Sequence, residues 1–172
     1  LCVTTIPNAL NDNCSNAIAL TVNPDSSCSY TTSSTSEYAS QSQTGCSGTA
    51  DDDVWFSFVA LSDIQAITVT PSTMDNVVFQ VFSGSCGSLT SIICRNSTSG
   101  SSVETANATG LTIGNTYYVR VYSSANLTSQ GTFSICVNSI NDNCSGAFNV
   151  AVNSNSTCTV STTGTTIGAT QS

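Results

Sequence analysis

The sequence predicts an all-β protein: an antiparallel β-sandwich, jelly-roll-like, stapled by disulfides and set in a tandem array. Three observations lead to this prediction. Short apolar runs alternate with turn residues, nine cysteines lack metal-binding spacing, and one segment of the chain occurs twice. The 39% hydrophobic content, with regularly placed Val, Ile and Phe, favours a packed β fold over a disordered chain, although 57 of the 172 residues are Ser or Thr.

Strands are predicted wherever apolar residues alternate between turn residues. In the run VWFSFVA, Val54, Phe56 and Phe58 share one face, and the run TYYVRVYS has the same alternation. No run indicates a helix longer than a turn. The predicted strands cover residues 17–22, 29–40, 54–60, 65–71, 76–82, 90–95, 102–109, 116–123 and 131–137.

The duplicated segment predicts the domain organisation. Residues 11–42 recur at 141–172 without gaps, and fifteen of the 32 positions are identical, including the tetrad NDNC. The LCV at residues 1–3 likewise resembles the ICV at 135–137. Compositional bias would give scattered matches but not one ungapped frame, so we predict an array of units of about 130 residues. The predicted parts are the tail of a preceding repeat with its linker (1–10), a complete repeat (11–138), and a linker with the opening part of the next repeat (139–172).

The cysteines predict disulfides in an oxidising compartment, because the chain has no C-x-x-C motif and no His to complete a zinc site. We therefore expect an extracellular, cell-surface or secreted protein. Since the chain begins with Leu1, we also expect a mature or trimmed part of something longer. Six cysteines allow fifteen connectivities, among which we predict Cys86–Cys94 across a hairpin, Cys14–Cys28 because both recur in the second copy, and Cys46–Cys136 by remainder.

The charge balance excludes several classes of partner. The net charge is −8, and the only basic residues are Arg95 and Arg120. Such a chain cannot neutralise phosphates, which excludes nucleic acid, and it is disfavoured at anionic membranes. No apolar run approaches the roughly 20 residues of a membrane helix, so membrane insertion is not expected.

Five segments of the complete unit resemble a known family. They read NDNCSNAIALTV, GCSGTADDDVWFSFVA, VFSGSCGSLTSIIC, LTIGNTYYVRVYS and GTFSICV. Together they resemble the repeat of large secreted surface proteins of Bacteroidota, which is similar to the pre-peptidase C-terminal domain, a β-sandwich attached to secreted peptidases and adhesins. The resemblance implies export to the cell surface, typically by the type IX system, and a non-catalytic role.

The same resemblance implies a calcium site. Related pre-peptidase domains use an Asn-Asp pair near the N-terminal linker and aspartates before an aromatic strand, which corresponds here to Asn11, Asp12 and the triplet 51–53. Alternation along the strand directs Asp51 and Asp53 together, so we predict that Asn11, Asp12, Asp51 and Asp53 bind Ca²⁺ through oxygen ligands. The alternative is a solvated acidic turn.

Catalysis is not expected, and we predict that the protein is not an enzyme. With no His and no Lys, its Ser and Thr residues lack a general base other than carboxylates. Trp55 and Tyr118 are candidates for a ligand platform on which a sugar could stack, although a Trp between Val54 and Phe56 is more often a core residue.

Two functions follow from the sequence. The first is a structural or adhesive repeat of a large extracellular surface protein or filament, with neighbouring copies of the repeat as partners. The alternative is an accessory module of a secreted hydrolase that binds a glycan or a host or cell-surface protein. An exposed aromatic patch near Trp55 or Tyr118 is expected only for the alternative.

Overall fold

The computed structural model describes residues 9–125, 129–140 and 150–161. Within them the chain forms ten strands and one 3-10 turn, Cys14–Asn16. The strands are β1 (Ile18–Ala19), β2 (Val22–Asn23), β3 (Thr32–Thr35), β4 (Val54–Val59), β5 (Ile64–Pro71), β6 (Val77–Ser85), β7 (Ser88–Arg95), β8 (Glu104–Thr109), β9 (Thr116–Ser123) and β10 (Thr132–Ser139).

The strands form two sheets that pack as a sandwich. The first sheet has the order β1-β4-β9-β6-β7, and the second has the order β2-β10-β5-β8, with β3 also pairing with β10. The described residues contain no α-helix, and the all-β sandwich predicted from the alternation is confirmed. The sheets are mixed rather than purely antiparallel, because the short strands β1 and β2 run parallel to β4 and β10.

The predicted strand 17–22 divides into two strands that belong to different sheets. Ile18 pairs with Phe56 of the first sheet, whereas Val22 pairs with Val137 of the second. Between them Leu20 is buried, and its amide donates to the Ser57 carbonyl at 2.7 Å. This segment therefore crosses the edge of the sandwich while its apolar side chains stay in the core.

The core lies between the sheets, where side chains alternate inwards as period-2 strands require. Val54, Phe56 and Phe58 of β4 are all buried, as predicted. The outer face of the first sheet carries a second buried layer, which includes Trp55 and Tyr122. The loop at residues 36–47 covers that layer, and we name it the covering loop.

In the described part of the chain three disulfides cross-link the sandwich, and all three predicted pairings are wrong. The bonds join Cys14 to Cys86, Cys28 to Cys136 and Cys46 to Cys94.

The hairpin explains why the first pairing is wrong. Cys86 lies at the tip of the β6–β7 hairpin, whereas Cys94 lies opposite Gln80, six residues away along β6. The Cα atoms of Cys86 and Cys94 are therefore about 20 Å apart, far beyond the Cα separation that a disulfide allows. The 14–28 segment crosses from one sheet to the other and so separates Cys14 from Cys28. Cys46 lies outside the first sheet beside Tyr122, whereas Cys136 belongs to the second sheet.

The chain enters and leaves the sandwich at opposite ends. Asn11 lies beside Trp55 near the start of β4, and we name this the proximal end. β10 terminates beside the start of β5, where Ser139 pairs with Gln65 and the Ile140 amide donates to the Ile64 carbonyl at 3.2 Å. We name this the distal end; it also carries the loops 60–63 and 110–115.

One hydrogen-bonded loop occurs twice, 130 residues apart. The Asn23 side chain accepts from the Tyr30 amide at 2.6 Å and donates to the Tyr30 carbonyl at 3.0 Å. The Asn153 side chain accepts from the Val160 amide at 2.8 Å and donates to the Val160 carbonyl at 2.8 Å. The two segments of the duplicated sequence therefore share a local conformation as well as residues.

Other parts of the repeat prediction lie outside the described residues. These are residues 1–8 of the predicted preceding tail, and residues 141–149 and 162–172 of the predicted next repeat. The domain boundaries and the array stay predictions.

Candidate functional site

The charged side chains at the proximal end are arranged around a buried arginine, Arg120. Alternation along β9 directs Val119 and Val121 into the core, so that Arg120 lies on the outer face of the first sheet. There the covering loop encloses the side chain completely, at 0% exposure. Its Nη1 lies 2.8 Å from Oδ2 of Asp53, whose side chain is also fully buried. The pair is an internal ion pair and not a surface charge.

Arg120 also donates to two backbone carbonyls of the covering loop and to one side chain of β6. Nη1 donates to the Gln43 carbonyl at 2.8 Å, and Nη2 donates to the Thr44 carbonyl at 2.9 Å and to the Gln80 side chain. Three aromatic rings surround the guanidinium, with centroids 5.0 Å (Tyr122), 5.7 Å (Trp55) and 6.0 Å (Phe82) from its carbon. These contacts favour a buried cation, so the role of Arg120 is to fix the loop.

Three aspartates each hold one serine of the covering loop. Asp12 accepts from the Ser40 hydroxyl at 2.9 Å, and Asp53 accepts from the Ser42 hydroxyl at 2.8 Å. Asp52 accepts from the Ser36 hydroxyl at 2.7 Å and from the amide of Ser123 at the end of β9 at 2.9 Å. The acidic residues therefore bind separate points of one loop and do not form a shared cage.

Burial has the largest effect on the pKa of Asp52, Asp53 and Tyr122. It raises the pKa of Asp52 above its ordinary value, against the lowering effect of the hydrogen bonds from Ser36 and Ser123. Burial likewise raises the pKa of Asp53, although Ser42 and Arg120 act in the opposite direction. The pKa of Tyr122 is also raised by burial, so its hydroxyl stays protonated at neutral pH and bonds to the backbone of Cys46 and Ser47.

The four residues predicted to bind calcium do not fit that ion. Asn11 is buried and its side chain donates to the Trp55 carbonyl at 2.9 Å. Asp53 already faces the Arg120 cation, and Asp12 binds Ser40. Within the described ranges no three His, Cys, Asp or Glu residues are grouped to hold a metal ion. Asp51 differs from the other three, because its buried Oδ1 has no hydrogen-bond partner in the described part of the chain. Calcium binding stays a prediction that this geometry does not favour.

The predicted aromatic platform is not present at Trp55. The Trp55 side chain is 1% exposed, stacks at 5.4 Å on Phe82, and donates from Nε1 to the Ser42 hydroxyl at 3.0 Å. Tyr118 is half-buried on the same face. Among the residues that the structure describes, the exposed aromatic side chains are instead Tyr30 at 57% and Tyr38 at 55%.

Tyr30 lines a surface groove of about 260 Å³ at the edge of the second sheet. The groove walls carry the hydroxyl residues Thr21, Ser29, Thr31 and Thr32. The groove was not predicted from the sequence, since Ile135 and Cys136 of β10 complete it from a place far along the chain from residues 19–32.

A further groove, of about 300 Å³, lies on the other side of the segment 19–21. Its lining is apolar and includes Leu20, Phe58, Val59 and Leu61. It opens near the distal end. Both grooves are concave and are therefore candidate sites for binding a ligand.

Comparison with known proteins assigns the family. Residues 10–135 match a family described as galactose binding domain-like and associated with the T9SS, the type IX secretion system. The chain belongs to this galactose binding domain-like family. No curated protein shows significant sequence similarity to the chain.

Membership fixes the general character of the protein. The galactose binding domain-like family consists of non-catalytic binding modules, and its link to the type IX system identifies a secreted domain of Bacteroidota type. Together with the disulfides it places this galactose binding domain-like chain outside the cell. No helix of the described residues has the length and hydropathy needed to cross a membrane. The more specific resemblance to the pre-peptidase C-terminal domain stays a prediction.

Proposed function

We propose that the chain is a structural, adhesive repeat of a large extracellular surface protein or filament, exported by the type IX system. Its partners are neighbouring copies of the same repeat. The observation that carries the proposal is the loop that occurs twice, at Asn23–Tyr30 and at Asn153–Val160, with the same hydrogen bonds. A second copy that adopts the local structure of the first is what a tandem array requires.

The positions of the chain ends in the complete unit support the same function. Because the chain enters at the proximal end and leaves at the distal end, successive units extend in one direction and do not fold back. β10, with eight residues, spans about 26 Å of this path. The axial spacing between units is therefore on the order of 30–40 Å once loops are added.

Electron microscopy of the native material tests this proposal. We expect regular filaments or surface projections with one axial repeat per unit at that spacing. Separate globular particles without axial order would overturn the filament.

The second candidate is a carbohydrate-binding module, favoured by the family description and by the groove beside Tyr30. The exposed ring and the surrounding hydroxyl residues are the groups that stack on and hydrogen-bond to sugars. Binding of galactose-containing glycans to the chain tests it, with Tyr30→Ala expected to abolish binding. Tyr38→Ala, which removes a ring of equal exposure outside the groove, is the matched control. Equal binding by the two variants would exclude the groove.

A further inference from the structure

The distal end carries an unexplained apolar surface. Leu61 and Ile113 are each 51% exposed and Val59 is 47% exposed, in a protein whose surface is otherwise rich in hydroxyl groups. The loops that carry Leu61 and Ile113 are joined, since the Gly114 amide donates to the Ala60 carbonyl at 2.9 Å. Val59 and Leu61 also line the apolar groove at Leu20 and Phe58. We name this groove together with the neighbouring Ile113 the distal apolar surface.

The spacing of the repeats indicates what covers this surface. Ser139 is held in β10, and Asn141 is the counterpart of Asn11, which is held on β4 of its own unit. Only two residue steps separate these two positions, so they lie at most about 7 Å apart. A following unit that docks its asparagine in this way places its proximal end directly against the distal end of the unit before it.

The second copy differs from the first at one exposed position of the proximal end. Glu37 is exposed at the proximal end, beside Ser36, whose amide donates to the Gly131 carbonyl. Its counterpart in the second copy is Ile167, and that copy is preceded by Ile140. Ile167 therefore adds to the second copy an apolar side chain of the kind that gains from burial against an apolar surface.

We propose that the distal apolar surface is the docking site for the proximal end of the next copy of this repeat. The contact makes consecutive units one rigid body. This inference rests on the proposed array and adds to it the surface by which the units are fixed to one another.

The experiment uses a chain in which residues 43–140 are appended after Ser172, which completes the second unit in register. We expect ¹⁵N relaxation to give the same slow rotational correlation time for both units. The double variant Leu61→Asp with Ile113→Asp in the first unit should lose this common value, and each unit should then tumble faster and separately. Ile92→Asp, on the edge strand β7 at 42% exposure, should leave the common value unchanged.

Each result has a distinct meaning. Separate tumbling of two folded units in the unsubstituted chain would overturn the docking site and leave the array standing. Common tumbling that survives the double variant would overturn the assignment to these residues. An appended second unit that fails to fold would overturn the repeat itself, and the docking site with it. In the 172-residue chain the double variant should unfold at the same denaturant midpoint as the parent, which separates docking from stability.

Discussion

Replacing Arg120 by Met should destabilise the fold severely. The substitution leaves the Asp53 carboxylate buried without its cation, and breaking a buried pair in this way costs about 3–5 kcal/mol. The carbonyls of Gln43 and Thr44 lose their donors as well, at about 1 kcal/mol each because Gln43 is partly exposed and Thr44 is exposed. The expected loss is thus about 5–7 kcal/mol, comparable with the whole stability of many domains.

Guanidinium unfolding with the disulfides intact measures this loss. Trp55 is the only tryptophan of the chain and lies 5.7 Å from the Arg120 guanidinium, so its fluorescence reports on the substituted site. Adding Asp53→Asn to Arg120→Met removes the uncompensated charge and should restore part of the free energy of unfolding.

Arg95→Met is the matched control, because it removes the same charge from a more exposed pair. Arg95 is 40% exposed, and its partner Glu104 keeps hydrogen bonds from Ser97 and Thr98. We expect a loss of about 1 kcal/mol. Should Arg120→Met lose no more than this control, or should the double variant be less stable than Arg120→Met, the assignment of Arg120 as the centre of a buried network is wrong.

Four more outcomes are expected. Burial raises the pKa of Asp52 in the folded state above its ordinary value of 3.8, so the folded state binds a proton at this carboxylate before the unfolded state does as the pH falls. Protonation of Asp52 therefore increases the free energy of unfolding as the pH falls through the folded-state pKa. The free energy of unfolding changes by at most about 1.4 kcal/mol per pH unit from this one group. Denaturant titrations at several pH values should show that this pH dependence is lost in Asp52→Asn and kept in Asp75→Asn, which removes an exposed charge. Gly131→Ala should cost about 1–3 kcal/mol, since its Cβ would lie 2.4 Å from a backbone nitrogen, whereas Gly87→Ala meets nothing within 4 Å; equal unfolding midpoints would contradict this packing. A calcium chelator should leave the melting temperature unchanged, and a drop that added calcium reverses would instead establish the ion. Cys158 is exposed and bonds to no cysteine of the described residues, so peptide mapping without reductant should find it alkylated by iodoacetamide; a disulfide at Cys158 in the monomer would contradict this prediction.

The strand pattern was largely predictable, whereas partners distant in sequence were not. Alternation predicted the strand 116–123 at its observed bounds, because a strand with one face in the core has apolar residues at every second position. The same signal contains nothing about which sheet a strand joins. The split of 17–22 between two sheets and all three disulfide pairings were therefore missed.

The sequence predicted the acidic half of the candidate site but not its partner, which again is distant along the chain. The acidic triplet was recognised as special, but Asp53 was assigned to a metal and not to Arg120, 67 residues away. A signal was present: Arg120 is one of two basic residues and stands between Val119 and Val121 in an apolar strand. A charge at such a position needs a buried counter-ion, and the carboxylates before β4 were the nearest candidates across the β4–β9 pairing.

The bond between Cys28 and Cys136 determines how the unit responds to a pulling force. β2 runs parallel to β10, so tension applied at Asn11 and at Ser139 loads their hydrogen bonds in shear, all at once. If the strands do separate, the disulfide removes 108 of the 128 residues between those two points from the extensible length, leaving 20. The unit can then lengthen only to about 70 Å, instead of about 440 Å for the unbridged chain. The disulfide therefore limits the extension of each unit to about a sixth of that of the unbridged chain.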